Sequence, residues 1–167
     1  AQAAEIAGCP VFPADNIWNT PVDRLPLDAN SAAYIATVGP ERNLHPDFGA
    51  GLYQGAPSGI PFVIVRASQP RVPVTFEYPG ESDPGPYPIP PDAPIEGGPQ
   101  SRGDRHVLVV DRDNWILYEL YRAFPVDGGR SWKAASGAIF DLKKNTARPA
   151  GWTSQRGSSG NGRSSGV

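Results

Sequence analysis

Residues 103–124 read GDRHVLVVDRDNWILYELYRAF, two apolar runs, His106–Asp111 and Trp115–Arg122, on either side of Arg112-Asp113-Asn114. Val, Ile, Leu and Tyr dominate both runs, and neither holds Gly or Pro, so both are predicted as strands. Asn114 tolerates the left-handed conformation that closes a three-residue hairpin loop with a bulge. In that register Asp111 lies opposite Trp115. The pairs then run Val110/Ile116, Val109/Leu117, Leu108/Tyr118, Val107/Glu119 and His106/Leu120. Alternation places Val110, Leu108, His106, Ile116, Tyr118 and Leu120 on one face, ending in an Asp104/Arg122 pair. The opposite face carries Val109, Val107, Leu117, Glu119 and Tyr121, with Arg105 alongside. Two largely apolar faces put this hairpin in the middle of a two-layer β fold.

Upstream of the hairpin, Pro61–Arg66 (PFVIVR) and Arg71–Tyr78 (RVPVTFEY) read as a second hairpin. Its second run alternates, with Val72, Val74, Phe76 and Tyr78 inward, and Pro73 marks it as an edge strand. Pro79–Pro99 contains eight prolines and can be neither strand nor helix. Tyr87, Ile89 and Ile95 favour a loop packed down in polyproline-like conformation, placed to wall a binding cleft. Downstream, Asp127-Gly128-Gly129 is a turn, and Ser131–Ala135 and Ala138–Leu142 are short strands. Asn30, SAAYIATV and Gly39-Pro40 supply the cap, the helical spacing and the stop of a two-turn helix over Ser31–Val38, which needs packing against the sheet to persist. Residues 1–30 form an irregular wrapping segment that pins Phe12, Ile17 and Trp18. Residues 40–61 are a glycine-rich connection containing His45 and Asp47. The reading is a mainly β, two-layer antiparallel sandwich or jelly-roll-like domain over residues 1–152, with one short helix and long Pro/Gly-rich loops. Residues 153–167 (TSQRGSSGNGRSSGV) are a flexible Gly/Ser/Arg tail by composition.

The composition narrows the function classes. With 19 glycines, 20 prolines and 39% apolar residues in a chain of 167, a loop-rich globular domain is expected. A net charge of −2 with no basic stripe argues against nucleic acid as a partner. Apolar runs of five or six residues are too short for a transmembrane helix. Cys9 is the single cysteine, so no internal disulfide forms. Ile6-Ala7-Gly8-Cys9 has the look of a lipoprotein signal end but lacks an apolar core before it, which leaves a buried thiol as the expectation. AQAA reads as the start of a mature secreted chain.

Three constellations could carry chemistry. The first is the polar end of the hairpin, Asp104, Arg105, His106, Tyr118, Glu119 and Arg122, of which Asp104, His106, Tyr118 and Arg122 share one face. His106 or Tyr118 would abstract the proton alpha to a sugar carboxylate and Arg122 would stabilise the developing charge, with a cross-strand ion pair and a half-buried histidine as the plainer alternative. The second is a carboxylate pair for glycoside hydrolysis. Glu119, among Val107, Leu117 and Tyr121, has its pKa raised by burial, and Glu96 or Asp104 is the partner. A Glu119–Arg105 salt bridge is the alternative there. The third is a metal site drawn from His45, Asp47, His106 and Asp104, without a close-spaced ligand motif. No Gly-x-Ser-x-Gly elbow and no phosphate-binding glycine pattern is present. No cofactor and no metal are therefore assigned. Trp18, Tyr87 and Glu96 are the expected substrate contacts.

The blocks DNIWNTPVD (15–23), LHPDFG (44–49), ESDPGPYPIPPDAPIEGG (81–98), GDRHVLVVDRDN (103–114), LYELY (117–121) and RPAGWTS (148–154) resemble a family of secreted bacterial proteins of uncharacterised activity. The resemblance covers roughly residues 10–154 and implies an extracellular protein, with no activity or catalytic residue to carry over. It departs after Ser154, where the family's folded sequence continues. The expected function is a secreted carbohydrate-active enzyme, a polysaccharide hydrolase or lyase, acting on a polysaccharide or cell-surface glycan. The alternatives are a non-catalytic carbohydrate- or surface-binding module using Trp18, Trp115, Trp132 or Trp152, and an extracellular structural or assembly subunit.

Overall fold

Two β-sheets packed on one another, without barrel closure, make the body of the protein. The structure, a computed structural model, describes residues 4–43, 51–53 and 56–152. The larger sheet has the order β11-β8-β7-β5, built from β5 (Phe62–Val65), β7 (Val107–Asp111), β8 (Ile116–Tyr121) and β11 (Ser136–Asp141). The smaller has the order β6-β10-β9, from β6 (Val74–Phe76), β9 (Phe124–Val126) and β10 (Ser131–Ala134). Two short ribbons, β1 (Glu5–Ile6) with β2 (Cys9–Pro10) and β3 (Gly51–Tyr53) with β4 (Ala56–Ser58), lie outside the sandwich. The helix α1 spans Ser31–Val38 as predicted and stops at Gly39, but the Asn30 side chain makes no capping hydrogen bond. The tail over 153–167 and the His45/Asp47 pair lie outside the described residues.

The central hairpin forms, but its register differs from the prediction by one residue. Asp111 pairs with Ile116, Val110 with Leu117, Val109 with Tyr118, Leu108 with Glu119 and Val107 with Leu120. The loop is four residues long, and Trp115, not Asn114, takes the left-handed conformation, at φ 59°. The reason is the buried Asp111 carboxylate. Its Oδ1 accepts the backbone N–H groups of Asp113 and Asn114, both at 3.1 Å, and its Oδ2 accepts the Asn114 side-chain amide at 2.8 Å. This side chain-to-backbone turn uses up Asn114 and passes the strand restart to Ile116. A slip of one residue exchanges faces. Tyr118 thus joins Val107 and Val109 in the core, whereas Glu119 and Tyr121 share the opposite face with Leu108, Val110 and His106.

The second expected hairpin does not form. Val63 and Val65 on β5 run parallel to β7 in the large sheet, while β6 runs parallel to β10 in the small one. The connection at residues 66–73 therefore crosses between layers, making the sheets mixed rather than antiparallel. It is turned by Gln69 N–H to Arg66 O at 2.9 Å and anchored by Ala67 N–H to an Asp113 carboxylate oxygen at 2.9 Å. Pro73 does mark an edge strand, because β6 borders its sheet. Val72, Val74 and Phe76 point inward as alternation requires, but Tyr78 stands exposed.

The core lies between the sheets and is filled partly by the proline-rich loop. Val65, Val107, Val109, Tyr118 and Leu120 from the large sheet meet Trp132 and Ala134 from the small one, with Tyr87, Ile89, Ala93 and Ile95 wedged among them. Tyr87 is 0% exposed, and its hydroxyl donates to Asp83 O at 2.7 Å. Its ring stands edge-on to Phe76 and Tyr118. Gly137 on β11 has no side chain because an added Cβ would come within 2.7 Å of the Phe76 ring and the Tyr87 hydroxyl. The loop is thus a third element of the core. Prolines confine it to the extended path that delivers Tyr87 and Ile89 inward.

The N-terminal segment is pinned at fewer points than expected. Cys9 is buried, and Phe12 stands edge-on to Phe140 at 6.4 Å. The Asn19 amide binds the carbonyls of Val11, Phe12 and Pro13, and Asn145 joins Asp15 and Asn16. Ile17 and Trp18 remain 80% exposed, and no residue of α1 is buried, so the helix does not pack on the sheet. No helix among the described residues is long and apolar enough to cross a membrane.

Candidate functional site on the outer face of the large sheet

Glu119 occupies the centre of the large sheet, with Leu108 beside it on β7 and Ala138 on β11. Leu117 and Tyr121 flank it along β8, and Val110 shares the face. On this half-buried apolar surface the charged carboxylate loses hydration, and burial pushes its pKa up to about 7 from the ordinary 4.5. The positive charge of Arg148 pulls weakly in the opposite direction. Arg148 comes from the segment after β11 and is held by Asp83 at 2.7 Å and by Glu81 O at 2.8 Å. Its guanidinium lies over the rings of Trp152 and Phe140, at 5.0 Å and 6.0 Å.

His106 lies one residue before β7, with its ring 5.5 Å from that of Tyr121. That position is the diagonal neighbour of Glu119, a relation that places side chains ~7 Å apart. Its Nδ1 is 2.6 Å from a Glu96 carboxylate oxygen. The same oxygen accepts the His106 backbone N–H at 3.3 Å, and Glu96 N–H donates to His106 O at 3.0 Å. These contacts close the base of a loop over residues 97–105. Arg105 fastens the loop from inside, donating to Ala123 O, Pro99 O and Ser101 O, with its guanidinium 4.2 Å from the centre of the Phe124 ring. Arg105 and Arg122 both take φ 52° just beyond the paired strands, and Asp104 next to Arg105 is exposed. A ligating atom from each of Glu96, Asp104 and His106 then lies within 4.8 Å of the other two.

The structure therefore regroups the expected residues. Glu96, Asp104 and His106 come together, with Glu119 on the same face as His106. Tyr118 does not join them: it is 4% exposed in the core, and its hydroxyl accepts from Arg71 at 2.9 Å. The correction follows directly from the one-residue register change. Tyr87 is a core residue and cannot contact substrate. Among the described residues no ion pair joins Asp104 to Arg122; they meet only through Arg122 N–H and Asp104 O at 2.8 Å. Arg122 instead lines a cleft of about 380 Å³ with Thr75, Glu77, Phe124 and Lys133. A second hollow of about 540 Å³ runs along Ile60, Pro61 and the 92–99 loop, next to Glu96. Trp132 is buried, and Trp18 is the tryptophan with most of its surface in solvent. Arg148 and Tyr121 belong to the site; Tyr121 was expected only as a neighbour of Glu119, and Arg148 was not expected at all. Tyr121 was legible from alternation as a companion of Glu119, whereas no local pattern marks Arg148.

Comparison with known protein families, with curated proteins and with solved structures returns no match for this chain.

Proposed function

We propose that the protein is a secreted carbohydrate-active enzyme, a polysaccharide hydrolase or lyase, acting on the outer face of the large sheet. The observation that carries this reading is Glu119, a carboxyl group held near pKa 7 on an apolar face, diagonal to a histidine fixed by Glu96. A group divided between its two protonation states at neutral pH suits general acid–base catalysis. Elimination fits the surroundings better than hydrolysis. Of the two carboxylates expected as partners for hydrolysis, Glu96 is engaged by His106 and Asp104 is exposed, whereas Tyr121 stands two residues along β8 from Glu119 on the same face. Ionised Glu119 would take the proton alpha to a uronate carboxylate. The electron pair released forms the new double bond, the bond to the leaving oxygen breaks, and the Tyr121 hydroxyl protonates that oxygen. The resemblance to a secreted bacterial family supports the extracellular location.

The test is a turnover screen on neutral and acidic polysaccharides, with and without chelator, beside Glu119→Gln and His106→Ala. Expected is release of products absorbing in the ultraviolet through the new double bond, with Glu119→Gln slower by about 10²–10⁴-fold. Reducing ends without that absorbance would establish hydrolysis, and no product from any substrate would refute the enzyme. A second reading, an assembly subunit, is favoured by the exposed apolar side chains of Ile17, Trp18, Val22, Leu27, Tyr34 and Val38. Sedimentation that detects only monomer over a wide concentration range would remove it.

A further inference from the structure

We propose that Glu96, Asp104 and His106 form a binding site for a divalent cation. Three features carry this beyond a chance grouping of acids. First, the donor set is mixed, one imidazole nitrogen and two carboxylates, with a ligating atom from each within 4.8 Å of the others. Second, the central donor is already oriented. The His106 side chain is more than nine-tenths buried, packed on Tyr121 and held by Glu96, so little freedom remains to be lost when a ligand binds. Third, the neighbouring cations are turned elsewhere. Arg105 spends its donors on the carbonyls of Ala123, Pro99 and Ser101, and Arg122 makes no ion pair with Asp104 among the described residues. Two carboxylates thus converge on one imidazole without an arginine between them, and a cation would neutralise the set.

The spacing is close to that of a bound ion. Imidazole and carboxylate ligands at about 2.1 Å on adjacent vertices lie ~3 Å apart. That spacing is octahedral, and tetrahedral vertices lie ~3.4 Å apart, so the 2.6 Å hydrogen bond between His106 Nδ1 and the Glu96 oxygen has to open by roughly 0.4–0.8 Å as the ion replaces its proton. Asp104 is exposed and can close on the ion from the solvent side, where water completes the shell. One nitrogen and two oxygens suit Mn²⁺ or Zn²⁺, between the all-oxygen sites of Ca²⁺ and the sulfur-rich sites of softer ions. The site shares His106 and Glu96 with the surroundings of Glu119, but Glu119 itself is not among its ligands.

Isothermal titration of the full chain with Mn²⁺ and with Zn²⁺, and paramagnetic resonance of the Mn²⁺ samples, test the proposal. The expected result is one ion per chain, with affinity lowered more than about 10-fold in Asp104→Asn and lost in His106→Ala. Glu119→Gln should bind as tightly as the parent, which separates this outcome from failure of the proposed activity. Asp104 is exposed, so Asp104→Asn keeps the test open should His106→Ala fail to fold, with circular dichroism as the check. Absence of binding by either ion, or binding that Asp104→Asn leaves unchanged, overturns the site.

Discussion

Replacing Glu119 by Gln should make stability less sensitive to pH, by an amount that follows from the position of the side chain. Its carboxyl group titrates near 7 in the folded chain, against the ordinary value of 4.5 expected once unfolded, and burial is the main cause. Below pH 4.5 the group is protonated in both states and folding is not penalised. As pH rises from 4.5 to 7, the unfolded chain gives up this proton while the folded chain retains it, so the unfolded state gains and stability falls. Above 7 both forms are ionised and the penalty stays constant. At 1.36 kcal/mol per pH unit the loss totals about 3 kcal/mol. Glutamine has nearly the same shape and does not titrate. Urea unfolding of both proteins should therefore show Glu119→Gln gaining about 3 kcal/mol on the parent between about pH 4 and about pH 8. Contributions from other titrating groups cancel in that difference. A difference between the two proteins that is flat across this range would refute the claim that burial perturbs Glu119, and the acid–base role proposed for it would lose its basis.

Three further outcomes follow from the packing. Gly137→Ala should destabilise the protein by about 1–3 kcal/mol in urea, because the new Cβ would lie 2.6 Å from the Phe76 ring and 2.7 Å from the Tyr87 hydroxyl. Tyr118→Phe should cost about 1 kcal/mol through loss of the Arg71 hydrogen bond while leaving polysaccharide turnover unchanged; a turnover defect at constant stability would restore Tyr118 to the site. Trp18→Ala should stay within about 0.5 kcal/mol of the parent in urea, since the ring is 80% exposed, yet weaken retention on a glycan affinity gel. Unchanged retention would take Trp18 out of the substrate contacts.

Much of the fold was legible because its signals are local. The apolar runs without Gly or Pro at Val107–Asp111 and Ile116–Tyr121, the bounds of the helix at Ser31–Val38, and Pro73 at a sheet edge each depend on a few adjacent residues. The failures came where the outcome rests on distant partners. Pro61–Arg66 and Arg71–Tyr78 resemble a hairpin in isolation, but each has a stronger parallel neighbour, in β7 and in β10. The strand β9 was hidden by Pro125, which an edge of the smaller sheet tolerates. The prolines of residues 79–99 leave one 3-10 turn at Pro79–Glu81, where neither strand nor helix was expected, and Tyr87 and Ile89, read as packing the loop down against a cleft, are core side chains.

The site shows the same division at finer scale. That Glu119 is an acid among apolar neighbours can be read from LYELY alone, and its elevated pKa follows from that placement. Which groups accompany it depends on whether the hairpin loop holds three residues or four. Arg112-Asp113-Asn114 satisfies turn preferences at either length, so propensity cannot decide. The carboxylate of Asp111 decides, by capturing two backbone N–H groups and the Asn114 amide ahead of the restart at Ile116. That one added residue exchanges the faces of β7 relative to β8 and sends Tyr118 inward against Tyr87. It also sets His106 beside Tyr121, on the face of Glu119 and within reach of Glu96. A buried aspartate at the far end of the hairpin from His106 thus determines which side chains can act together at its open end.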